Sequence, residues 1–286
     1  QQADLRPDLL SAHPFLKTLA TPRILNSGVA MEWDMPAALP STDFDTLRRD
    51  IAPDHIDVFQ VPRANRRKKL LLADMDATIV VGETLDELAA RWGVEDKIAA
   101  ITAAAMRGEM DFKQALESRV AMLAGLPEPA LADTLAAMQL HVGAKTLVQV
   151  MRAFGAACYL VSGGFTFFTS AIADRCGFDG SHGNVLEIVE EHLTGRVLPP
   201  VLDKDAKRNF LISYAERAGL GLEETMAVGD GANDIPMLQT AGLGVGFQPK
   251  PNVADVIPNQ IIHTDLTSLL YIQGYTAEDI AHAMSC

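Results

Sequence analysis

The apolar residues of this chain change their spacing several times along its 286 positions. Short apolar runs that each precede a polar or glycine-containing cluster are typical of strands buried in a parallel sheet. Such runs predict strands at Leu70–Ala73, Cys158–Val161, Met226–Val228 and Leu243–Phe247. Helical spacing between them predicts helices at Lys145–Phe154, Thr166–Cys176, Asp205–Ala218 and Pro236–Ala241. This order predicts an α/β fold with ligands at the carboxyl ends of the strands.

Two stretches interrupt the alternation of strand and helix. Residues 84–141 are rich in Ala, Leu, Glu and Met at helical spacing and predict a small inserted helical domain. The core is then formed by residues 66–83 and 142–286. Within the core, Asn184–Leu198 predicts a β-hairpin that turns at Thr194-Gly195.

The N-terminal residues 1–65 carry weaker signals and predict a small α+β segment. Their pattern indicates a strand at Ile24–Met31, a helix at Asp43–Ala52 and a strand at Ile56–Val61. A basic patch at residues 63–69 follows, and we interpret it as a solvated lead into the first buried strand rather than a nucleic-acid signal.

The composition excludes several classes of protein. The 37 acidic residues outnumber the 24 Lys and Arg, and the formal net charge of −13 disfavours binding to nucleic acid or an anionic membrane. Three cysteines without CxxC spacing argue against a disulfide framework or a zinc finger. Because no apolar run predicts a membrane span and no signal-peptide layout opens the chain, we expect a cytoplasmic protein.

Polar clusters follow three of the predicted strands. Asp74 to Thr78 comes after the first, Ser162-Gly163 after the second, and Asp230 to Asp234 after the third. Two acidic clusters that meet across one crevice repel each other unless a cation lies between them. Oxygen ligands with room for water and phosphate favour magnesium, and a serine hydroxyl with glycine N–H groups favours a phosphate ligand.

The nucleophile predicted for such a site is a carboxylate. The sequence has neither GxxxxGK[ST] nor a GxGxxG after a strand. Ser162 lacks the preceding glycine of a hydrolase elbow, so a serine nucleophile is disfavoured. Attack by an aspartate on phosphorus would give an aspartyl phosphate that water hydrolyses.

Four ordered motifs carry a resemblance to a known family. Asp74 to Thr78, Ser162-Gly163, Lys207 and Gly229 to Asp234 resemble the motifs of the haloacid dehalogenase (HAD) superfamily. Within it, the chain is most similar to the phosphoserine phosphatases, from about residue 67 to residue 275. The resemblance implies a Rossmann-like core with a helical cap at residues 84–141. It also implies hydrolysis of O-phosphoserine to serine, the last step of serine biosynthesis.

The resemblance implies a role for each motif residue. Asp74 would be the nucleophile, and Asp76 would protonate the leaving oxygen and then activate water. Asp74, Asp230 and the backbone carbonyl of Asp76 would hold Mg²⁺. The residues that complete this shell would be Asp234, Thr78 and Asn233. The residues that bind the phosphoryl oxygens would be Ser162, Gly163 and Lys207.

Substrate selection would belong to the cap. Glu83 would bind the amino group of phosphoserine and Arg119 its carboxylate, while Met106 and Phe112 would keep water out of the closed site. The resemblance also suggests that residues 1–65 are a reduced regulatory domain of the amino-acid-binding ACT type, through which a homodimer would form.

Structural alternatives exist for the cap residues. Glu83 could instead cap the first cap helix, and Met106 and Phe112 could belong to a helical core. Arg119 could form a surface ion pair with Glu117 or Asp111.

The chain departs from the family pattern in two places. Ala77 replaces the usual serine next to the nucleophile, and Lys204 competes with Lys207 for the lysine motif. Two other functions also fit the motifs. One is a phosphatase or phosphotransferase for another small phosphometabolite, and the other is an acidic-pocket switch that is phosphorylated without turnover.

Overall fold

A seven-stranded sheet forms the centre of the computed structural model, which describes residues 5, 10, 13–17, 19–106, 109–202 and 205–285. Outside this sheet, β1 Arg23–Asn26 and β2 Ala30–Glu32 form a separate pair of strands. The strands of the seven-stranded sheet are β3 Leu70–Ala73, β4 Ala157–Phe165, β5 Gly180–Val189, β6 His192–Leu198, β7 Thr225–Gly229, β8 Leu243–Phe247 and β9 Gln260–Ile261. The sheet order is β6-β5-β4-β3-β7-β8-β9, and every neighbouring pair is parallel except β5 with β6. The predicted α/β fold with a parallel core is confirmed.

Side chains of the central strand β3 pack alternately into two apolar layers. Leu70 and Leu72 contribute to one buried cluster, and Leu71 and Ala73 contribute to the other. This period of two shows that helices cover both faces of the sheet. The site at the end of β3 is therefore supported from both sides.

Helices cover the sheet and form the insert. Their bounds are Ser41–Ile51, Thr84–Trp92, Glu95–Met106, Phe112–Ala121, Pro129–Ala137, Ala144–Ala153, Thr166–Cys176, Ala206–Arg217, Ile235–Thr240, Pro251–Ala254, Ser268–Ile272 and Ala277–Met284. The four helices predicted for the core are present, with ends shifted by at most one residue. None of the helices in the described ranges has both the length and the apolar character needed to cross a bilayer.

The helical insert leaves the core and returns to it through one short paired connection. Val80 and Leu140 form an antiparallel bridge. The Val81 N–H donates to the Gln139 carbonyl at 2.9 Å. Because the two connections are hydrogen-bonded together, the insert is joined to the core directly beside the end of β3. The domain boundaries at residues 66–83, 84–141 and 142–286 stay a prediction.

The turn of the β5–β6 hairpin lies at Glu190-Glu191, so the predicted turn at Thr194-Gly195 is wrong. Both glutamates adopt left-handed backbone conformations, with φ of 48° and 60°. Gly195 instead lies buried inside β6, where a Cβ atom would stand 2.9 Å from the Cβ of Ala124. The absence of a side chain at Gly195 therefore allows β6 to pack closely against the helical insert, and it does not serve a turn.

The N-terminal segment has its own small hydrophobic cluster. Strands β1 and β2 pair antiparallel, and Leu47 and Ile51 of the helix Ser41–Ile51 are buried in the cluster. The predicted strand at Ile56–Val61 is wrong, since these residues form no strand. Asp57 within it instead accepts hydrogen bonds from the N–H groups of residues 262–264 of the core.

Acidic neighbours pair with the basic patch at residues 63–69. Arg67 Nη2 lies 2.6 Å from Asp279 Oδ2, and Lys69 Nζ lies 2.7 Å from Glu224 Oε1. Lys68 in the same patch is instead buried, and its Nζ donates to the Glu223 carbonyl at 2.7 Å. The patch thus leads into β3 through partly exposed ion pairs and one buried lysine.

Candidate active site

Parallel strands bring the predicted chemistry to one edge of the sheet. Asp74 follows β3, Ser162 lies within the last part of β4, and Asp230 follows β7. Since β4 and β7 both flank β3, these side chains converge at the carboxyl ends of three adjacent strands. The structure therefore gathers three motifs that are spread between positions 74 and 234 of the sequence.

Lys207 lies between two carboxylates at the centre of this edge. Its Nζ is 2.6 Å from Asp74 Oδ1 and 2.6 Å from Asp234 Oδ1, and only 4% of the lysine is exposed. Burial lowers the pKa of Lys207, but the two aspartates outweigh it and raise the pKa above its usual value. Lys207 is therefore a fixed positive charge beside the predicted nucleophile.

Asp234 holds the loop that carries Asp230. Its Oδ2 accepts hydrogen bonds from the backbone N–H groups of Asp230 at 3.1 Å and Gly231 at 3.0 Å. Gly229 makes this possible, because a Cβ at that position would lie 2.4 Å from the Asp234 carboxyl carbon. Asp234 is fully buried. One of its oxygens thus orients the loop at the end of β7, and the other orients Lys207.

Three carboxylates gather closely enough to share a cation. Oxygens of Asp74, Asp230 and Asp234 all lie within 4.8 Å of one another, and each residue is buried. Burial and repulsion from Asp234 raise the pKa of Asp74 well above its usual range, although Lys207 opposes the shift. Burial also raises the pKa of Asp230. Such a set of hard oxygen donors with excess negative charge fits Mg²⁺.

Asp76 lies between the cap entrance and the end of β4. The Thr84 N–H donates to Asp76 Oδ1 at 2.9 Å, and the Thr84 hydroxyl also donates to that oxygen. Ser162 Oγ donates to Asp76 Oδ2 at 3.0 Å. Burial raises the pKa of Asp76, while these hydrogen bonds partly oppose the shift. A raised pKa favours the protonated carboxyl that a general acid requires.

Glu83 points toward the core rather than capping its helix. It occupies the N-cap position of Thr84–Trp92 without a side-chain capping bond. Its Oε1 lies 3.0 Å from Lys250 Nζ, and Lys250 Nζ lies 3.0 Å from Asp230 Oδ2. Lys250 therefore links the start of the cap with the carboxylate cluster.

Arg119 has acidic neighbours from the first cap helix rather than from its own helix. Burial lowers the pKa of Arg119, and Asp86 and Glu83 are the charges that oppose this shift. Its Nε donates to the Ala115 carbonyl at 3.2 Å. The predicted pair, Glu83 and Arg119, thus lies in one region of the cap. Glu117, the alternative partner considered for Arg119, instead pairs with Lys113 at 3.8 Å.

Other predicted residues lie nearby with varied contacts. Asn233 is partly buried in the 3₁₀ turn Ala232–Asp234. Thr78 is fully buried, and its hydroxyl has no hydrogen-bond partner among the described residues. Ala77 has a left-handed backbone, with φ of 51°, and its N–H donates to the Gly82 carbonyl at 2.8 Å.

Three predicted residues cannot be placed in the same detail. Met106 and Phe112 stand at the end of one cap helix and the start of the next, and their side chains lie outside the described part of the structure. Lys204 also lies outside the described residues.

Sequence reasoning missed three residues that contact the site. Lys250 follows β8 closely, and its place near a strand end was a signal that could have found it. Thr84, the first residue of the predicted insert, was given no role, although its N–H donates to Asp76. Asn184 lies in β5, and its Nδ2 donates to the Gly163 carbonyl at 2.8 Å. No spacing pattern in the sequence points to this last contact.

Similarity to known proteins agrees with this geometry. The family model of haloacid dehalogenase-like hydrolases matches residues 71–239. Phosphoserine phosphatase SerB2 of Mycobacterium tuberculosis is 42% identical over 239 residues, which are 83% of this chain and 58% of the relative. Phosphoserine phosphatase of Streptomyces coelicolor is 42% identical over 218 residues, which are 76% of this chain and 53% of the relative. The chain thus spans little more than half the length of these two relatives.

A solved structure shows the same likeness in three dimensions. A phospho-aspartyl intermediate analogue of phosphoserine phosphatase superposes with a TM-score of 0.67 at 37% identity, covering 72% of this chain and 98% of that one. The family match covers more than half of the chain and includes the strand ends that carry Asp74, Ser162 and Asp230. The chain belongs to the haloacid dehalogenase-like hydrolase family.

Proposed function

We propose that this chain is a magnesium-dependent phosphatase that hydrolyses O-phosphoserine to serine and phosphate through an aspartyl phosphate on Asp74. The observation that carries the proposal is the convergence of Asp74, Asp76, Ser162 and Lys207 at one edge of the sheet, beside Glu83 of the cap. The names of the similar proteins support the choice of substrate.

Asp74 is oriented for attack on phosphorus. Its Oδ1 accepts from the Met75 N–H at 2.7 Å and faces Lys207 at 2.6 Å, so the carboxylate cannot rotate freely. A bond would form between Asp74 and phosphorus while the bond from phosphorus to the serine oxygen breaks. Lys207 and the hydroxyl of Ser162 would stabilise the charge that develops on the phosphoryl oxygens.

Asp76 would serve both proton transfers. It would donate a proton to the leaving serine oxygen in the first step. In the second step it would take a proton from the water that attacks phosphorus, which releases phosphate and restores Asp74. Hydrogen bonds from Thr84 and Ser162 hold both Asp76 oxygens in place for these transfers.

Mg²⁺ would be held by Asp74, Asp230 and the backbone carbonyl of Asp76, with Asp234 close behind them. When bound, it would offset the negative charge of the carboxylates and of the substrate's phosphoryl group. The support for this assignment is the buried three-carboxylate cluster described above.

The cap would select the amino-acid part of the substrate. Glu83 would bind its ammonium group, and Arg119 would bind its carboxylate in a bidentate geometry. The proximity of both charges to the cap entrance supports this division of roles. Met106 and Phe112 would exclude water, a role argued from the family resemblance.

Several wider expectations accompany the proposal. A regulatory role for residues 1–65, a homodimer through this segment and a cytoplasmic location all stay predictions. Serine that alters the activity of the full chain, but not of a chain lacking residues 1–62, would support the regulatory role.

Phosphate release from a panel of esters tests the proposed function. The panel contains O-phosphoserine and other small phosphate esters, each with and without Mg²⁺, and compares wild type with Asp74→Asn. We expect Mg²⁺-dependent turnover of O-phosphoserine that Asp74→Asn abolishes. Turnover of other esters alone would indicate a different phosphometabolite, and stoichiometric phosphorylation without release would indicate a switch.

A further inference from the structure

Ser162 and Gly163 lie in a bulge between β4 and β5. The two strands pair regularly up to Val161 opposite His182, and the next pair is Phe165 opposite Asn184. Three residues of β4 therefore face one residue of β5, Gly183. A bulge of this kind bends the strand and re-aims its side chains, and bulges occur often next to active sites.

The bulge takes the Gly163 carbonyl out of the regular ladder, and a side chain replaces the missing strand partner. Asn184 Nδ2 donates to that carbonyl at 2.8 Å. Gly183 allows the close approach, because a Cβ there would lie 3.0 Å from the Thr166 nitrogen and 3.1 Å from the Gly164 carbonyl oxygen. In the bulge, the Gly164 N–H donates to Ser162 Oγ at 2.8 Å and so fixes the serine rotamer.

The other end of the same amide contacts the segment that follows β6. Asn184 Oδ1 accepts from the Leu202 N–H at 2.8 Å. Leu202 lies on the connection between β6 and the helix Ala206–Arg217, which carries Lys207 in its first turn. One fully buried amide therefore joins the Ser162 bulge to the chain that leads to Lys207.

We propose that Asn184 is a positioning residue for the phosphoryl group, which it orients through the Ser162–Gly163 bulge while the Leu202 N–H holds the other end of its amide. This inference rests on the proposed phosphatase function, and in it Asn184 does not touch the substrate. The amide must present its nitrogen to the Gly163 carbonyl and its oxygen to the Leu202 N–H, so loss of the amide shifts the bulge whose Ser162 and Gly163 would contact the phosphoryl oxygens.

Asn184→Asp tests the inference with little change in shape. The carboxylate keeps an acceptor for the Leu202 N–H but has no donor for the Gly163 carbonyl. Gln273→Glu is the matched control, since Gln273 is also a buried amide that donates, to the Leu269 carbonyl at 2.8 Å, and accepts, from the Lys68 N–H at 2.9 Å. The two variants bury the same kind of charge, but only one of them alters the bulge.

Four quantities are measured for both variants: kcat and KM, each on O-phosphoserine and on p-nitrophenyl phosphate, inhibition by inorganic phosphate, and the thermal midpoint. We expect Asn184→Asp to lower kcat by about tenfold or more on both esters and to weaken phosphate inhibition. Gln273→Glu should lower the thermal midpoint similarly with little change in kcat. Equal effects of the two variants on kcat and on phosphate inhibition would overturn the proposal.

Two further measurements keep the test decisive. If Asn184→Asp does not fold, Asn184→Ser and Gln273→Ser replace the pair under the same criteria. If wild type hydrolyses p-nitrophenyl phosphate but not O-phosphoserine, the substrate assignment fails while the Asn184 inference is still decided on that ester. If wild type hydrolyses neither, calorimetric binding of inorganic phosphate decides the inference, and equal binding by Asn184→Asp and Gln273→Glu overturns it.

Discussion

Lys250 Nζ lies 3.0 Å from Glu83 Oε1, the carboxylate that we assign to the substrate's amino group. The protein thus already places an ammonium group next to Glu83 before any substrate arrives. A second ammonium at the same carboxylate meets repulsion from the first, which amounts to about 1 kcal/mol for charges about 4 Å apart in water and more in a partly buried site. Both side chains are roughly half exposed, so the lower figure applies.

Lys250→Met is therefore expected to favour substrates that carry an amine. The matched substrate is 3-phosphoglycerate, in which a hydroxyl replaces the amine of O-phosphoserine. We expect the ratio of KM for O-phosphoserine to KM for 3-phosphoglycerate to fall by about fivefold. Taking the ratio cancels effects through Asp230, because both substrates share the phosphoryl site.

Lys69→Met is the control for Lys250→Met, since Lys69 pairs with Glu224 away from the carboxylate cluster. It should leave the ratio unchanged. A ratio that rises in Lys250→Met would mean that Lys250 orients Glu83 for the amine rather than competing with it.

Arg119→Ala tests the other half of substrate recognition. Phosphoethanolamine retains the amine and the phosphate but lacks the carboxylate that Arg119 would bind. We expect kcat/KM for O-phosphoserine to fall by about a hundredfold, and that for phosphoethanolamine to change far less, because a charge-assisted bidentate contact contributes about 1.5–3 kcal/mol. Arg152→Ala, which removes an exposed pair with Asp179, serves as the control. Equal losses on the two substrates would contradict the role of Arg119.

Strand ends explain why much of the site could be predicted from the sequence. Asp74, Ser162 and Asp230 each belong to a polar cluster at the end of an apolar run, and parallel strands bring such ends together whatever the distance between them in sequence. Lys207 has no such local signal and could be assigned only by the family resemblance. Its burial between Asp74 and Asp234 now gives that assignment a physical basis.

The features that escaped prediction depend on contacts between distant segments. Asn184 donates a hydrogen bond to the Gly163 carbonyl, which a bulge takes out of the strand ladder. The bulge itself forms only when β4 and β5 pair. The hairpin turn was misplaced because Thr194-Gly195 has a turn-like composition, whereas Glu190-Glu191 does not. Gly195 is required by packing against Ala124, which no local pattern reveals.

Lys207→Met is expected to destabilise the metal-free protein strongly. It leaves the buried Asp74 and Asp234 without their shared cation, and breaking a buried pair in this way costs about 3–5 kcal/mol in the free energy of unfolding. Mg²⁺ should restore part of this loss, because at the proposed site it would bind the native carboxylate cluster but not the unfolded chain. Urea titrations of both proteins with and without Mg²⁺ measure the effect.

The pH dependence of Lys207→Met gives a second, independent check. Burial raises the pKa of Asp74 even with Lys207 present, so without the lysine the native state binds more protons than the unfolded chain. The free energy of unfolding should then decline as pH rises from about 4, the unfolded carboxyl pKa, toward neutrality. Stability that increases over this range would contradict the proposed charge balance.

Lys204→Met provides a comparison for activity, which should fall far less than in Lys207→Met.

Asp76→Asn separates the two proton transfers. The leaving group of p-nitrophenyl phosphate is a weakly basic phenolate that departs without a proton, so Asp74 can still be phosphorylated in this variant. Hydrolysis of the aspartyl phosphate would, in the proposed mechanism, need Asp76 as a base and should be slowed by about a hundredfold or more. Rapid mixing with p-nitrophenyl phosphate and Mg²⁺ should therefore give a burst of p-nitrophenol close to the enzyme concentration, followed by slow turnover.

O-phosphoserine, whose alkoxide leaving group requires protonation, should give no burst of serine. Asp74→Asn is the control and should give no burst with either ester. A steady rate without a burst in Asp76→Asn, equal to that of wild type, would show that another group activates water.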